Sequence, residues 1–233
     1  MTLSPEAHQH VARSVPLAPP ITWIPNGIAI DDFPAPVFRK NEGPFEVIYA
    51  GVHGVNNGLD TILEAAAILE SRASSDRVIR FRFIGDGPEK ARLVAKARAL
   101  ALANITFLDP IPKSGIPAAL QEADCFVVAA RRAPVYRYGL SFNKLFDFLA
   151  VGRPIVFAGE AEQNPVSLSG AGLIVPPEDP GALAEGIERI VRLPAEARMA
   201  MGNAGRQYVE KNHNHRLLAD RLLDVLHTVS SAR

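Results

Sequence analysis

Phe45-Glu46-Val47-Ile48-Tyr49-Ala50-Gly51 runs into Val52-His53-Gly54-Val55-Asn56-Asn57-Gly58, and then into Leu59, Ile62, Leu63, Ala66 and Leu69. The first segment is short, mostly apolar and closed by glycine, as a buried strand is. The last five residues are spaced i, i+3, i+4, i+7 and i+10, which puts them on one helix face. Strand, glycine loop and helix make the first half of a βαβ unit. The rest of the chain repeats the pattern. Ile79, Phe81 and Phe83 alternate in a second strand that ends in Gly85-Asp86-Gly87-Pro88, and a helix follows to about Leu102. Pro88 suits a first helical turn, where its missing N–H costs nothing. Further strands are read at 105–108, 125–129, 154–157 and 172–175. Helices are read at 116–122, 143–151, 180–192, 195–211 and 214–228. Such alternation predicts one α/β domain with a doubly wound, parallel, six-stranded Rossmann-like sheet and carboxyl-terminal helices. Ligands then bind at the carboxyl ends of the strands, where the strand order reverses.

Before this pattern, residues 1–20 read as a helix end and a connector marked by Pro16, Pro19 and Pro20. Ile21 to Gly27 reads as a short strand stopped by a turn, with Trp23 packing on the core. Residues 31–44 read as loop, with Phe33 as its plug. The expected division is thus a connector over 1–20 and one Rossmann-like domain over 21–233.

Composition narrows the partners. The chain has 233 residues, 48% apolar and 21% charged, as in a globular protein. Twenty-five basic residues balance 25 acidic ones, so nucleic acid has no electrostatic footprint to meet. No apolar run approaches the ~20 residues of a membrane span. One cysteine, Cys125, rules out a disulfide framework and a cysteine-based zinc cage. A reducing, cytoplasmic location is expected, compatible with a full-length protein peripheral at the inner membrane face.

Three loops at the predicted ligand edge carry candidate chemistry. The loop with His53 and Gly54 is neither the dinucleotide fingerprint nor a Walker loop. It is a tight turn that needs glycine, or a place where backbone N–H groups and a helix terminus face an anion. His53 is a phosphate contact or a spacer. Gly85 opens a second such turn, in which Asp86 is a helix cap or part of a site. The third loop, Arg131 to Phe142, carries Arg131, Arg132 and Arg137 and enters a helix at Asn143-Lys144. Lys144 and Asp147 lie three apart on one face of it. They form either a surface ion pair or a binding pair. A lysine in a first helical turn opposes the macrodipole unless an anion is present. Asn212-His213-Asn214-His215 reads as a break between two helices, because histidines at i and i+2 do not share a helix face.

The ordered set Ile-Pro-Asn-Gly (24–27), Tyr-Ala-Gly (49–51), Ile-Gly-Asp-Gly-Pro-Glu-Lys (84–90) and Asn-Lys-Leu-Phe-Asp-Phe-Leu-Ala-Val-Gly-Arg-Pro (143–154) resembles a known family. It is similar to the carboxyl-terminal, donor-binding domain of group 1 retaining glycosyltransferases of the two-domain GT-B architecture, surface-polysaccharide type. The resemblance spans about residues 21–228. It implies a nucleotide-sugar donor, uridine diphosphate by default, no required metal, and a missing amino-terminal acceptor domain. It implies that Asp147 bonds the ribose and that Lys144 contacts the diphosphate with Arg131 and Arg132 in support. It adds Leu140, Ser141 and Asn143 to the site, and backbone near Ile111 and Pro112 to hold the base. Two departures accompany it. The family's second acidic position falls on Gly139, and its loop arginine and lysine fall on Val52 and Asn57. Other readings remain open: a non-catalytic nucleotide-binding subunit of a split transferase, an NAD(P)-type Rossmann domain, or a nucleotide-sugar 2-epimerase.

Overall fold

The computed structural model describes residues 1–15, 20–36, 43–72, 77–160 and 164–231. Pro16, Pro19 and part of the 31–44 loop lie outside these residues. Six strands, β1 Phe45–Ala50, β2 Ile79–Ile84, β3 Ile105–Leu108, β4 Cys125–Ala129, β5 Ile155–Ala158 and β6 Gly172–Val175, form one sheet. Every pairing is parallel, and the order is β3-β2-β1-β4-β5-β6. The order reverses between β1 and β4. Loops leaving those two strands diverge there and leave a crevice at their carboxyl ends.

The central strands β1, β4 and β5 are buried throughout, because a parallel sheet needs helices on each side. Phe45, Val47 and Tyr49 of β1 join a core with α2 (Leu59–Arg72), α3 (Lys90–Ala99) and α7 (Pro180–Arg192). Ile48 and Ala50, from the same strand, join a second core with α4 (Ile116–Leu120), α5 (Asn143–Val151), α6 (Pro165–Ser169) and α8 (Ala195–Asn212). Phe126 and Phe148 stack in this second core with centroids 4.1 Å apart. The remaining helices are α1 (Ala7–Ser14) and α9 (His215–Ser231).

Helix α5 is held at its far end. Gly152 takes the left-handed conformation, φ 73°, and closes the helix. Arg206 of α8 donates to the Ala150 carbonyl at 2.7 Å, placing a cation at the negative end of the dipole. Gly202 lets α8 approach closely, since a Cβ there would lie 2.0 Å from the Gly152 carbonyl oxygen. The near end of α5 has neither a side-chain cap nor an acidic residue in its first turn. That uncapped end faces the crevice.

Residues 21–27 do not form a strand. Thr2 and Trp23 make one isolated parallel bridge, and Ile28 and Asn214 another. Pro25 has no N–H with which to extend a ladder. Trp23 is 36% exposed, and its indole donates to the Leu3 carbonyl at 3.1 Å. Phe33 is buried in the second core. His213 is buried between α8 and α9, stacked on Phe146 at 4.3 Å, with Nδ1 3.1 Å from the Asn26 carbonyl oxygen.

Candidate nucleotide-sugar site

The loop after β1 has to pass very close to the loop after β2. At Gly85, with φ 138°, a Cβ would lie 2.1 Å from the Gly51 carbonyl oxygen. Only glycine fits there. The His53 N–H donates to the Asp86 carbonyl at 2.8 Å, and the Glu89 N–H donates to the His53 carbonyl at 3.0 Å. These bonds tie the two loops into one piece.

Lys144 reaches into this assembly from α5. Its Nζ donates to the Tyr49 hydroxyl at 2.9 Å and to Asn57 Oδ1 at 2.6 Å. Tyr49 and Asn57 both donate to the Val52 carbonyl, at 2.7 and 2.9 Å. The ammonium stands 4.6 Å above the Tyr49 ring, a cation–π distance. Among the described residues, no carboxylate lies within ion-pair distance of it. Burial lowers its pKa to about 8, because a desolvated ammonium sheds its proton more easily.

Asp147, one turn on, makes no hydrogen bond or ion pair among the described residues. Burial raises its pKa to about 6, opposed by the positive charge of Lys113. Lys144 and Asp147 are thus not a surface ion pair. An ion pair would pull both groups toward their charged forms, and both are pushed the other way. Two adjoining clefts meet at Asp147 and Asn143. The larger, about 790 Å³, also takes in Ala29, Phe33, Lys113 and Ser114. The smaller, about 450 Å³, takes in Gly51, Asn57, Ser141 and Lys144. One cleft suits a planar, partly apolar group, and the other a charged one.

The structure sorts the sequence candidates. Ser141, Asn143, Lys144 and Asp147 converge on these clefts, and Ser141 Oγ is fixed by Asn26 Nδ2 at 2.9 Å. Gly54 heads the 3-10 turn Val55–Asn57 beside them. Gly85 lies beneath, serving the close loop approach. His53 is wholly buried, turned inward among Tyr49, Phe83 and Phe107, with ring centroids 5.9–6.3 Å away. Among the described residues, neither ring nitrogen has a hydrogen-bond partner. Leu140 is buried in the second core. Ile111 and Pro112 line neither cleft, and their neighbours Lys113 and Ser114 line the larger one. Arg131 and Arg132 stand on the β5–β6 side, where Glu178 lies 3.4 Å from Arg131 and Glu160 lies 3.6 Å from Arg132. Tyr49, Asn57 and Asn26 were not among the sequence candidates. The Ile-Pro-Asn-Gly motif contained Asn26, the Tyr-Ala-Gly motif contained Tyr49, and Asn57 stands where the family's loop lysine falls. Among the described residues, no cluster of His, Cys, Asp and Glu is built to hold a metal ion, and no helix is long and apolar enough to cross a membrane.

Comparison with known proteins agrees with the fold and names a family. Residues 32–208 match the family described as glycosyl transferases group 1. WcaI of Escherichia coli (strain K12), described as a putative colanic acid biosynthesis glycosyl transferase, is 31% identical over 169 residues, covering 71% of this chain and 39% of that protein. The chain therefore spans well under half the length of this relative. Sucrose-phosphate synthase from Thermosynechococcus elongatus superposes with a TM-score of 0.80 at 21% identity, covering 100% of this chain and 58% of that one. A point mutant of S. aureus TarM, in complex with UDP among other ligands, superposes with a TM-score of 0.74 at 13% identity, over 95% of this chain and 42% of that one. These structures share the fold, a Rossmann-like half of a GT-B enzyme. Through the family match and the WcaI similarity, this chain belongs to the group 1 glycosyl transferases.

Proposed function

We propose that this chain is the donor-binding domain of a retaining glycosyltransferase that uses a nucleoside diphosphate sugar, with uridine diphosphate favoured. The observation that carries the reading is the Lys144–Asp147 couple at the strand-order reversal, which has no ion-pair partner among the described residues and whose pKa values burial shifts toward the neutral forms. A buried cation without a counter-charge is costly, and a bound anion would supply one. In this reading the diphosphate meets Lys144 and the uncapped first turn of α5. Asp147 accepts hydrogen bonds from the ribose hydroxyls. The base occupies the larger cleft beside Phe33 and Lys113. As the glycosidic bond breaks, negative charge grows on the leaving diphosphate. Lys144 and the α5 N–H groups stabilise that charge with dipoles already in place. No resident metal is needed for that role. The acceptor, a glycan or lipid-linked sugar, is held by a further domain, so the 233-residue chain alone transfers no sugar.

UDP in the TarM complex, on the same fold, supports uracil as the base to test first. A thermal-shift screen of UDP, GDP and ADP tests it. A ligand at about 100 times its Kd adds roughly 2.7 kcal/mol, a rise of several degrees in Tm. UDP should give the largest rise. The same Tm with and without every nucleotide would overturn the reading.

A further inference from the structure

A separate cleft, about 590 Å³, is lined by Arg13, Arg132, Arg137, Tyr138 and Glu160. Its charge is lopsided. Arg13 Nη2 and Arg137 Nη2 both donate to the Tyr138 hydroxyl oxygen, at 2.6 and 2.7 Å. Two guanidinium groups thus converge on one neutral oxygen. Among the described residues neither has a carboxylate within ion-pair distance. Among the described residues, the Arg132 guanidinium has Glu160 at 3.6 Å, with both side chains largely in water, while its backbone N–H donates to Glu178 at 3.4 Å. Among the described residues lining the cleft, three cations face one carboxylate. Like charges gathered around a single acceptor repel one another, and a guanidinium is built to pair with an oxyanion in a two-pronged fork.

The fold holds the cluster in position. Pro134–Tyr138 is a 3-10 turn closed at Gly139, whose φ is 96°. Helix α1 is tied onto this turn by the Glu6 N–H, which donates to the Tyr138 carbonyl at 3.0 Å. The His10 ring lies 5.6 Å from the Tyr138 ring. Tyr138 is itself 9% exposed, so its hydroxyl is a fixed anchor that aims both guanidiniums at the cleft. Arg131, the chain neighbour of Arg132, ties the stretch of chain that carries the cluster to the β1 loop. The Arg131 N–H donates to the Asn56 carbonyl at 3.2 Å, and Asn57 is the residue that holds Lys144.

We propose that Arg13, Arg132 and Arg137, arrayed around Tyr138, bind an oxyanion carried by one of the transferase's sugar substrates. The proposal rests on the glycosyltransferase reading for its substrates, and the cluster is separate from the diphosphate contact at Lys144. The anion has two possible sources: a carboxylate on the donor sugar, or a phosphate on the acceptor.

Calorimetry distinguishes them. One titration compares the uridine diphosphate conjugates of glucuronic acid and glucose. A donor carboxylate should make the first bind at least tenfold more tightly, and Arg13→Gln/Arg137→Gln should abolish that difference. The second titration compares glucose 1-phosphate with glucose in a Lys144→Met background, where the diphosphate contact is gone. An acceptor phosphate should bind measurably there and lose at least tenfold in the added arginine double variant. Both arginines are exposed, and an unchanged Tm shows that the variant is folded. If neither titration discriminates, or if the discrimination survives the double variant, the cluster is not an anion site. If UDP conjugates fail to bind at all, the nucleotide reading fails, and the second titration still decides this one.

Discussion

Replacing Lys144 by methionine separates a binding role from a structural one, because the two predict opposite signs. Methionine keeps most of the side chain's length and removes the charge. In the folded chain, burial brings the ammonium pKa from 10.5 down to about 8. That shift corresponds to a burial penalty on the order of 3 kcal/mol at neutral pH. A base whose folded pKa is depressed destabilises the fold fully below about pH 8, and the penalty lifts as pH rises from there toward 10.5. Lys144→Met removes the penalty. It also loses the bonds to Tyr49 and Asn57, each worth roughly 1 kcal/mol. The net expectation is a Tm unchanged or raised by a few degrees. UDP affinity should meanwhile fall by the roughly 1.5–3 kcal/mol of a charged hydrogen bond, about tenfold to a hundredfold. Uridine, which has no phosphate, should bind as before. The assay is calorimetry with UDP and uridine, paired with thermal denaturation in the same buffer. In the wild type, affinity for a UDP-sugar should also drop about tenfold between about pH 7 and 9 as the ammonium loses its proton. The variant should show no such drop from this group. A Tm several degrees lower with UDP affinity intact would refute the reasoning, because Lys144 would then be a latch between α5 and the β1 loop.

Asp147→Asn should weaken UDP and uridine alike by about tenfold, since both carry the ribose, and calorimetry reads this directly. The Asp147 carboxyl is raised from 3.8 to about 6, so its burial penalty is full above pH 6 and lifts as pH falls toward 3.8. In thermal melts, Asp147→Asn should therefore gain on the wild type at about pH 7 and lose that advantage near pH 4. Gly85→Ala would drive a Cβ to 2.1 Å from the Gly51 carbonyl oxygen. Urea denaturation should show a loss of about 2 kcal/mol or more, and an unchanged midpoint would mean the two loops separate freely. His53→Leu removes two buried nitrogens that have no hydrogen-bond partner among the described residues. Stability should hold or rise by about 1 kcal/mol, with UDP affinity unchanged. A fall in UDP affinity would show that the imidazole turns outward to the ligand.

The alternation of strand and helix was legible in the residues, because helix and strand periodicity is a relation among neighbours. Leu59, Ile62, Leu63, Ala66 and Leu69 mark one helix face wherever the helix is placed. The same local geometry puts Lys144 and Asp147 on one side of α5. The conflict between a lysine and the positive end of a helix was also visible, since the macrodipole belongs to the helix itself. Local pattern alone misjudged residues 21–27, where a strand-like composition has only single bridges to join.

What those groups face was decided by tertiary structure. Lys144 is held by Tyr49 and Asn57, which lie 95 and 87 positions away in the chain. Arg13 and Tyr138 meet across 125 positions. His53 sits in a loop whose sequence suits a phosphate, yet its ring is packed among three aromatic rings. The strand order β3-β2-β1-β4-β5-β6 brings the β1 and β4 loops to one crevice, and no stretch of sequence states that order. Periodicity encodes which face of an element is apolar. It does not encode which element covers that face, and the charge state of Lys144 and Asp147 depends on how much water the covering elements exclude.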